Sequence, residues 1–489
     1  MNALHNAPRL AIAGLAGDSG KSIVSLAILY QLHKAEVPVS SFKKGPDYID
    51  AAWLSWASGR SARNLDTWLM GFDRAVDSFR EHAAGEGLNL IEGNRGLFDG
   101  SDAAGTHSTA ELAKALQAPV LMVMNVAKMT RTAGALVLGC QHLDPKLNLA
   151  GVIINRVHGV RHESVVRASI EAATGLPVVG AIPVFDGGIL PDRHLGLVTP
   201  SDYPRIDGLP GMLEKIAAKL DIERILKIAA SAPALPASDS VACCSDFDKA
   251  REMHLTPKIA VIRDAAFNFY YPENLEALTN GGADLVFVSS LEAQELPEDV
   301  NAIYIGGGFP EVHAAQLSSN AKFLKSLAAA AACKIPVYAE CGGLMLLART
   351  IEWQDRKYPM AGVLPIDVVV EDAQQGHGYV EMTVTDQNPF YPLGTKLRGH
   401  EFHYSRIIAQ ADLPQTACAV CRGTGTFNKR DGVVHGSVWA SYTHLHASAS
   451  SEWAIGLLRA ARAHAFTQVS LRRIPALEQN SQPSCLRAG

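Results

Sequence analysis

The 489 residues contain no uninterrupted apolar run long enough to span a bilayer. Residues 1–8 show no basic segment leading into an apolar stretch, so no secretory signal is expected. Positive charge is not in surplus. Lys and Arg number 44 against 49 Asp and Glu, and the net charge of -5 argues against a generic nucleic-acid binder. The eight cysteines make no framework: Cys418 and Cys421 form one CxxC, and Cys243 and Cys244 are adjacent. A zinc site calls for two such pairs, or for histidines at ligand spacing. No internal repeat is visible. What remains is an ordinary globular composition, 48% hydrophobic and 19% charged. The chain is too long for one core, and a cytoplasmic enzyme of two or three domains is expected.

The organisation reads as two α/β halves. Short, nearly continuous apolar runs at 10–13, 37–42, 88–91, 120–124, 151–154 and 178–182 alternate with helical segments. Such runs suit buried parallel strands in repeated βαβ units, and hence a doubly wound sheet. From about residue 229 the chain turns small, Pro-containing and weakly patterned, as a linker does. A second strand series follows at 258–262, 284–288, 302–305 and 336–338, and segments 379–385 and 433–442 look antiparallel. The polar end of the chain from about residue 470 reads as a disordered tail.

In the first half, Gly17-Asp18-Ser19-Gly20-Lys21-Ser22 follows a strand and opens an amphipathic stretch at 23–33. A standard phosphate loop, GxxxxGK[ST], has glycine six residues before the lysine. Leu15 stands there, with Gly14 and Gly17 nearby. The physical roles survive. Glycine backbone N–H groups and a helix N-terminus favour an anion, Lys21 can neutralise phosphate charge, and the Ser22 hydroxyl can reach Mg²⁺. An ordinary Gly-rich turn with a solvated lysine would use the same residues. Two acidic loops raise the nucleotide reading. Lys43-Lys44-Gly45-Pro46-Asp47-Tyr48-Ile49-Asp50 follows the second strand, and Glu92 to Gly100, containing Asp99, follows the third. Both lie where a doubly wound sheet has its ligand crevice. Asp47 and Glu92 could supply hard oxygen to Mg²⁺; helix capping and loop turns are the competing roles.

In the second half, Cys341 stands between Glu340 and Gly342-Gly343, after an apolar strand and before Leu344-Met345-Leu346-Leu347. This is the strand–turn–helix order of a nucleophile elbow, where a helix N-terminus lowers a thiol pKa. A small buried cysteine would fit the same place. A thiol nucleophile needs a base. His444 and His446 are the candidates, spaced to share one face of a strand. Gly306-Gly307-Gly308-Phe309-Pro310-Glu311 offers backbone donors for an oxyanion hole, with Gly307, Gly308 and Gly342 as the candidates.

From residue 9 to about residue 457 the chain resembles the cobyrinic acid a,c-diamide synthase family of glutamine amidotransferases of the cobyric-acid-synthase type. The most specific motifs are 44–50, 92–100, 191–196, 265–271, 306–311, 340–344, 399–405 and 440–446. The resemblance implies a dethiobiotin-synthetase-like P-loop domain at 1–228, a linker at 229–256, a class I-type glutaminase at 257–467 and a tail at 468–489. It implies ATP as co-substrate bound by Gly17, Gly20, Lys21 and Ser22, and magnesium held by Ser22, Asp47 and Glu92. Asp50 and Asp99 would serve substrate activation, Cys341 would be the nucleophile and His444 its base. His446 stands where many class I relatives place an orienting glutamate, so the orienting group is left unassigned. The implied partners are glutamine, a tetrapyrrole polycarboxylate and a second copy in a homodimer, with no nucleic acid and no membrane. The family amidates the a- and c-acetates of a corrin-type ring, and close relatives act on sirohydrochlorin-type rings or siroheme. Leu15-Ala16-Gly17-Asp18 departs from the Thr/Ser-rich loop usual in cobyrinate enzymes and leaves the macrocycle open. A non-catalytic nucleotide-binding regulator on the same fold is the remaining alternative.

Overall fold

The structure, a computed structural model, describes residues 6–185, 192–193, 196–197, 199–200, 208–236, 255–408 and 414–478. The chain divides into two compact units, Met1–Ser240 and Val241–Gly489.

The first unit alternates strand and helix. Its elements are β1 (Arg9–Gly14), α1 (Lys21–Lys34), β2 (Val39–Lys44), α2 (Tyr48–Ser58), β3 (Arg63–Leu65), α3 (Thr67–His82) and β4 (Leu88–Gly96). Then come α4 (Thr109–Ala115), β5 (Val120–Asn125), α5 (Arg131–Leu143), β6 (Leu149–Val157), α6 (Val160–Thr174) and β7 (Val178–Pro183). The short pair β8 (Asp192–Arg193) and β9 (Gly196–Leu197) and the helices α7 (Leu209–Ala217) and α8 (Ile222–Ala230) complete it. The seven long strands form one sheet in the order β3-β2-β4-β1-β5-β6-β7, every pair parallel. Such a sheet needs both faces covered. Side chains of α1, α2, α7 and α8 cover one face and those of α3 to α6 the other.

Two local features place the site. Along β1 and β4, Ile12 lies opposite Glu92 but Gly14 lies opposite Gly96, so residues 93–95 bulge out. The bulge turns on Arg95, whose φ is 49°. It holds Glu92 beside the end of β1, and the Leu97 N–H closes onto the Gly14 carbonyl at 2.8 Å. The second feature is a missing cap. α2, α3, α4 and α8 start with Asp47, Asp66, Ser108 and Asp221, each accepting from its helix. α1 starts at Gly20, left-handed at φ 96° and with no side chain to cap it. Its first N–H groups are left for another acceptor.

The second unit begins with β10 (Lys258–Ile262), α9 (Pro272–Asn280), β11 (Asp284–Val288) and β12 (Ala302–Ile305). Next are α10 (Ala314–Ser319), α11 (Ala321–Ala332), β13 (Val337–Glu340), α12 (Gly342–Leu347), β14 (Thr350–Trp353), β15 (Arg356–Pro359) and β16 (Asp367–Val370). The rest is β17 (Gly376–Val384), β18 (Lys396–His403), β19 (Ser405–Ile408), β20 (Thr416–Arg422), β21 (Arg430–His435), β22 (Val438–Ser441), β23 (His444–Leu445) and α13 (Ser451–Glu478). A ten-stranded sheet runs β11-β10-β12-β13-β22-β21-β20-β17-β18-β23, and β15-β14-β16-β19 form a smaller one. The large sheet is parallel from β11 to β22 and antiparallel beyond. Strand alternation sends Ile303, Ile305, Val337 and Ala339 into one core, and Tyr304 and Tyr338 into another with Trp439 and Trp453.

Residues 433–442, expected to be antiparallel, fall in the antiparallel hairpin β21–β22, which turns at Gly436 with φ of 60°. Other expectations are corrected. The strand carrying His444 ends at Leu445, so His446 is not on it. α13 continues to Glu478, past residue 468 where a disordered tail was expected; Leu471, Arg472 and Arg473 are good helix formers. Residues 479–489 of that tail, most of the 229–256 linker, and parts of the 191–196 motif lie outside the described residues. No helix among the described residues is long and apolar enough to cross a membrane.

Candidate active sites

In the first unit the loop after β1 leads into α1. A side chain at Gly14 would sit 2.9 Å from Lys21 Nζ and 2.7 Å from the Ala16 carbonyl. Lys21 therefore folds back over Gly14, which takes the role of the glycine absent at Leu15. The loop is one residue longer than the standard form. Ser19 Oγ takes up the extra residue, donating to Ala16 O at 2.8 Å and accepting from Ala16 N–H at 3.1 Å. Asn155 Nδ2 braces the other side, donating to Ser19 O at 3.0 Å. Around Gly17 the space is open.

Glu92 is fully buried. Its Oε1 accepts from Ser22 Oγ at 3.1 Å and from Lys43 Nζ at 2.7 Å, and its Oε2 is buried with no hydrogen-bond partner. Lys43 also meets Asp50 at 2.5 Å and the Gly93 carbonyl at 3.3 Å. Burial opposes the Lys43 charge, but Asp50 and Glu92 outweigh it and hold the ammonium protonated. Burial, then repulsion from Lys43, lowers Lys21. Lys43 was missed as a site residue, because an apolar run ending at residue 42 says nothing of a charged strand end. Its signal was adjacency to the 44–50 motif.

The other acids differ in their duties. Asp47 caps α2, accepting the Asp50 N–H at 2.8 Å, so the capping role weighed for it is present. Burial, then the Asp50 carboxylate, pushes Asp47 up to about 6. Asp99 is exposed and closes its own turn by accepting the Gly96 N–H at 2.8 Å. Among the described residues, no group of three or more His, Cys, Asp or Glu could hold a metal alone. A magnesium site with one or two carboxylates, the rest coming from phosphate and water, does not need one. The orphan Oε2 of Glu92 beside Ser22 fits that ligand set.

In the second unit Cys341 has φ 47° and ψ -99°, a strained backbone for a residue with a side chain. That turn ends β13 and starts α12 and matches the nucleophile elbow. The elbow is crowded by backbone. A side chain at Gly342 would lie 3.1 Å from the Gly308 N, and one at Gly343 would lie 2.6 Å from the Ile305 carbonyl. One at Gly307 would lie 2.4 Å from His444 Cε1. Gly307 and Gly308 thus pack between the elbow and the histidine. The Cys341 N–H donates to Ser441 O at 2.7 Å, and Ser441 is three residues from His444. The helix end does not dominate the thiol, contrary to expectation. Burial pushes Cys341 up and Glu311 adds to it, against the Gly342 N–H. A thiolate here needs a base.

His444 faces Glu340, with Nδ1 3.4 Å from Oε2, and stacks on His400 with ring centroids 5.0 Å apart. Burial, then His444 and His446, pushes His400 well below the usual imidazole range. His446 turns elsewhere. Its ring lies 4.5 Å from that of Tyr271, and its Nε2 is 3.6 Å from Glu273. The turn before His444 is held by the fully buried Asp431. Its Oδ2 accepts from Thr443 Oγ1 at 2.6 Å and Thr443 N–H at 3.2 Å, and its Oδ1 accepts from Tyr442 N–H at 3.2 Å. Asp431 and Glu340 were missed as functional groups. Nothing in sequence spacing links either to His444.

Residues 10–194 match the CobQ/CobB/MinD/ParA nucleotide binding domain, and residues 258–452 the CobB/CobQ-like glutamine amidotransferase domain. A phosphate cradle in one unit and a cysteine elbow in the other are the two halves of one class of enzyme, the ATP-dependent ligases that take amide nitrogen from glutamine. Full-length relatives narrow the class. A cobyrinate a,c-diamide synthase of Magnetococcus marinus is 38% identical over 92% of this chain and 97% of its own. Those of Dehalococcoides mccartyi (strain ATCC BAA-2266) and Archaeoglobus fulgidus are 38% and 39% identical, over 94% and 90% of this chain and 99% and 94% of theirs. The chain belongs to the cobyrinate a,c-diamide synthase family.

Proposed function

We propose that the chain amidates the a- and c-acetate carboxylates of cobyrinate or a close corrin-type ring, with ATP and glutamine as co-substrates. The observation that carries this reading is the likeness to cobyrinate a,c-diamide synthases across both units. In outline, residues 1–228 serve as the synthetase and 257–467 as the glutaminase, joined by 229–256.

A carboxylate is a poor electrophile, so the substrate carboxylate first takes the γ-phosphoryl of ATP and becomes an acyl phosphate. Gly17, Gly20 and the uncapped start of α1 bind the phosphates, and Lys21 neutralises charge during transfer. Magnesium, held by Ser22, Asp47 and Glu92, would neutralise further phosphate charge. Lys43 holds Glu92 and Asp50 in place through its two ion pairs; Asp50 and Asp99 serve the substrate carboxylate. In the other unit the Cys341 thiol gives its proton to His444, and the thiolate attacks the glutamine carboxamide. The backbone N–H groups of Gly307, Gly308 and Gly342 are the donors proposed for the oxyanion. Ammonia leaves, a glutamyl thioester forms, and water releases glutamate. The ammonia displaces phosphate from the acyl phosphate to give the amide.

Incubating the protein with ATP, Mg²⁺ and glutamine and weighing the products decides the substrate. Cobyrinate is expected to gain two amides. Amidation of sirohydrochlorin, nickel sirohydrochlorin or siroheme in preference to cobyrinate would overturn the substrate; no ATP-dependent amidation of any ring would favour the regulatory alternative. The metal site has its own test. Asp47→Asn keeps the cap on α2, since Asn caps as well as Asp. It is expected to weaken ATP use at least about tenfold, or about 1.4 kcal/mol of transition-state stabilisation. Glu92→Gln should do the same. Unchanged Mg²⁺ and ATP dependence in both variants would return Asp47 to capping alone.

A further inference from the structure

The orienting group for His444 is absent from its usual place, because His446 stands there and is committed elsewhere. His446 Nδ1 accepts the Ser448 N–H at 3.1 Å. A neutral imidazole that accepts at one nitrogen carries its proton on the other, so Nε2 is the donor, and it faces Glu273. Neither nitrogen of His446 is turned to His444.

A carboxylate reaches His444 from another direction. β13 and β22 pair Glu340 with Ser441, and β18 pairs His400 with His444. Strand alternation puts Glu340 on the face of Tyr338 and Trp453. Glu340 is fully buried there, 3.4 Å from His444 Nδ1. Burial pushes its carboxyl up, while His444, the Leu445 backbone N–H and the Trp453 side chain pull it down. This buried carboxylate, beside the nucleophile, is the one His444 faces.

We propose that Glu340, the residue immediately before the nucleophile, is the positioning acid of this glutaminase, acting through His444 in place of an acid two residues after it. This rests on the reading of Cys341 and His444 as nucleophile and base. Glu340 accepts the Nδ1–H and so fixes the tautomer that leaves Nε2 with its lone pair for the thiol. The Sγ proton passes to Nε2 as the thiolate adds to the carboxamide carbon. The imidazolium, stabilised by Glu340, returns that proton to the departing nitrogen as the C–N bond breaks. Thioester and ammonia result, with no net change at His444. His446–Glu273 is a separate pair that supports the wall beside Tyr271.

Two measurements on the full chain test this. In ¹⁵N-histidine spectra of the unsubstituted protein, the His444 signal, assigned by its loss in His444→Gln, is expected to show the Nδ1–H tautomer. The Nε2–H tautomer would overturn the proposal, and this readout needs no folded Glu340 variant. The second is Glu340→Gln. The kcat of glutamine-dependent amidation should fall about a hundredfold or more, as when the acid of a triad is made an amide. The KM for glutamine and the ammonia-dependent rate should stay unchanged. The pH profile of Cys341 alkylation by iodoacetamide should move upward, and Glu340→Asp should recover part of the rate. The other titratable groups facing Glu340, His444 and Cys341 include His400, Glu311, Asp431 and Tyr442, and Tyr270, Tyr304, Tyr338 and Tyr391 beside Glu340, all intact in these variants. An unchanged kcat and alkylation profile in Glu340→Gln would overturn the acid assignment alone, provided Cys341→Ser is inactive with glutamine. Glutamine use surviving in Cys341→Ser would overturn the glutaminase reading itself, and the proposal with it.

Discussion

Lys21→Ala is expected to abolish amidation whether nitrogen comes from glutamine or from free ammonia. In the proposed mechanism acyl phosphate formation precedes either nitrogen source, and Lys21, folded over Gly14, lies at the proposed phosphate site. Removing one preorganised charge from a transition state costs about a hundredfold or more, equivalent to about 2.7 kcal/mol. The fold should survive. Lys21 is repelled by Lys43, and the buried set of Lys43, Asp50 and Glu92 does not include it. Thermal melting of the variant should therefore stay near that of the parent, and uncoupled glutamine hydrolysis should persist. Full ammonia-dependent activity would mean that the loop around Gly17 is not the phosphate site.

The fold was legible where burial makes the chain uniform. β1, β5, β7, β10 and β12 coincide, within a residue or two, with apolar runs, because strands covered on both faces have no polar alternation to blur them; β11 coincides too, although it is an edge strand with Phe287 exposed. β3 was not legible. It is three residues, Arg63–Leu65, at the sheet edge. β2 was misplaced by two residues because Lys43 and Lys44 read as loop, yet both are buried. Their charges are tolerated at the carboxyl end of the strand, where Lys43 meets Asp50 and Glu92. A pattern of hydrophobicity cannot anticipate a charge one of whose partners comes from 49 residues further along.

The candidate sites divide in the same way. Cys341, Lys21, Ser22 and Glu92 announce themselves through short motifs whose geometry is local: a turn between strand and helix needs only the neighbouring glycines and apolar residues to be recognised. The groups that tune them are not local. Glu340 was in plain view in its motif, but its partner lies 104 positions away and is brought to it by the pairing of β13 with β22. Asp431 reaches the turn before His444 only because β21 and β22 form a hairpin. The expected lowering of the Cys341 thiol by its helix end failed for the same reason. Whether a site is dry depends on everything packed around it, and here burial and Glu311 outweigh the helix.

Cys341→Ser is expected to remove glutamine-dependent amidation while leaving amidation at high free ammonia intact. Burial raises the thiol, and in the proposed mechanism Cys341 gives its proton to His444 as it attacks. Serine is nearly the same size and keeps the elbow, with its strained backbone and the N–H bond to Ser441, so no structural collapse is expected. What serine lacks is acidity and nucleophilicity, and a hydroxyl in the same dry site is far harder to ionise than a thiol. The proposed phosphate site belongs to residues of the other unit and is untouched. The expected result is therefore a split: no measurable glutamine-dependent rate, an ammonia-dependent rate equal to that of the parent, and no labelling by iodoacetamide at position 341. His444→Ala should give the same split with the thiol still present. A larger loss in His446→Ala than in His444→Ala would exchange the two histidines' roles, making the Glu273 pair the catalytic one. Normal glutamine use by Cys341→Ser would place the nucleophile elsewhere in the second unit, and would leave the strain at φ 47° without a function.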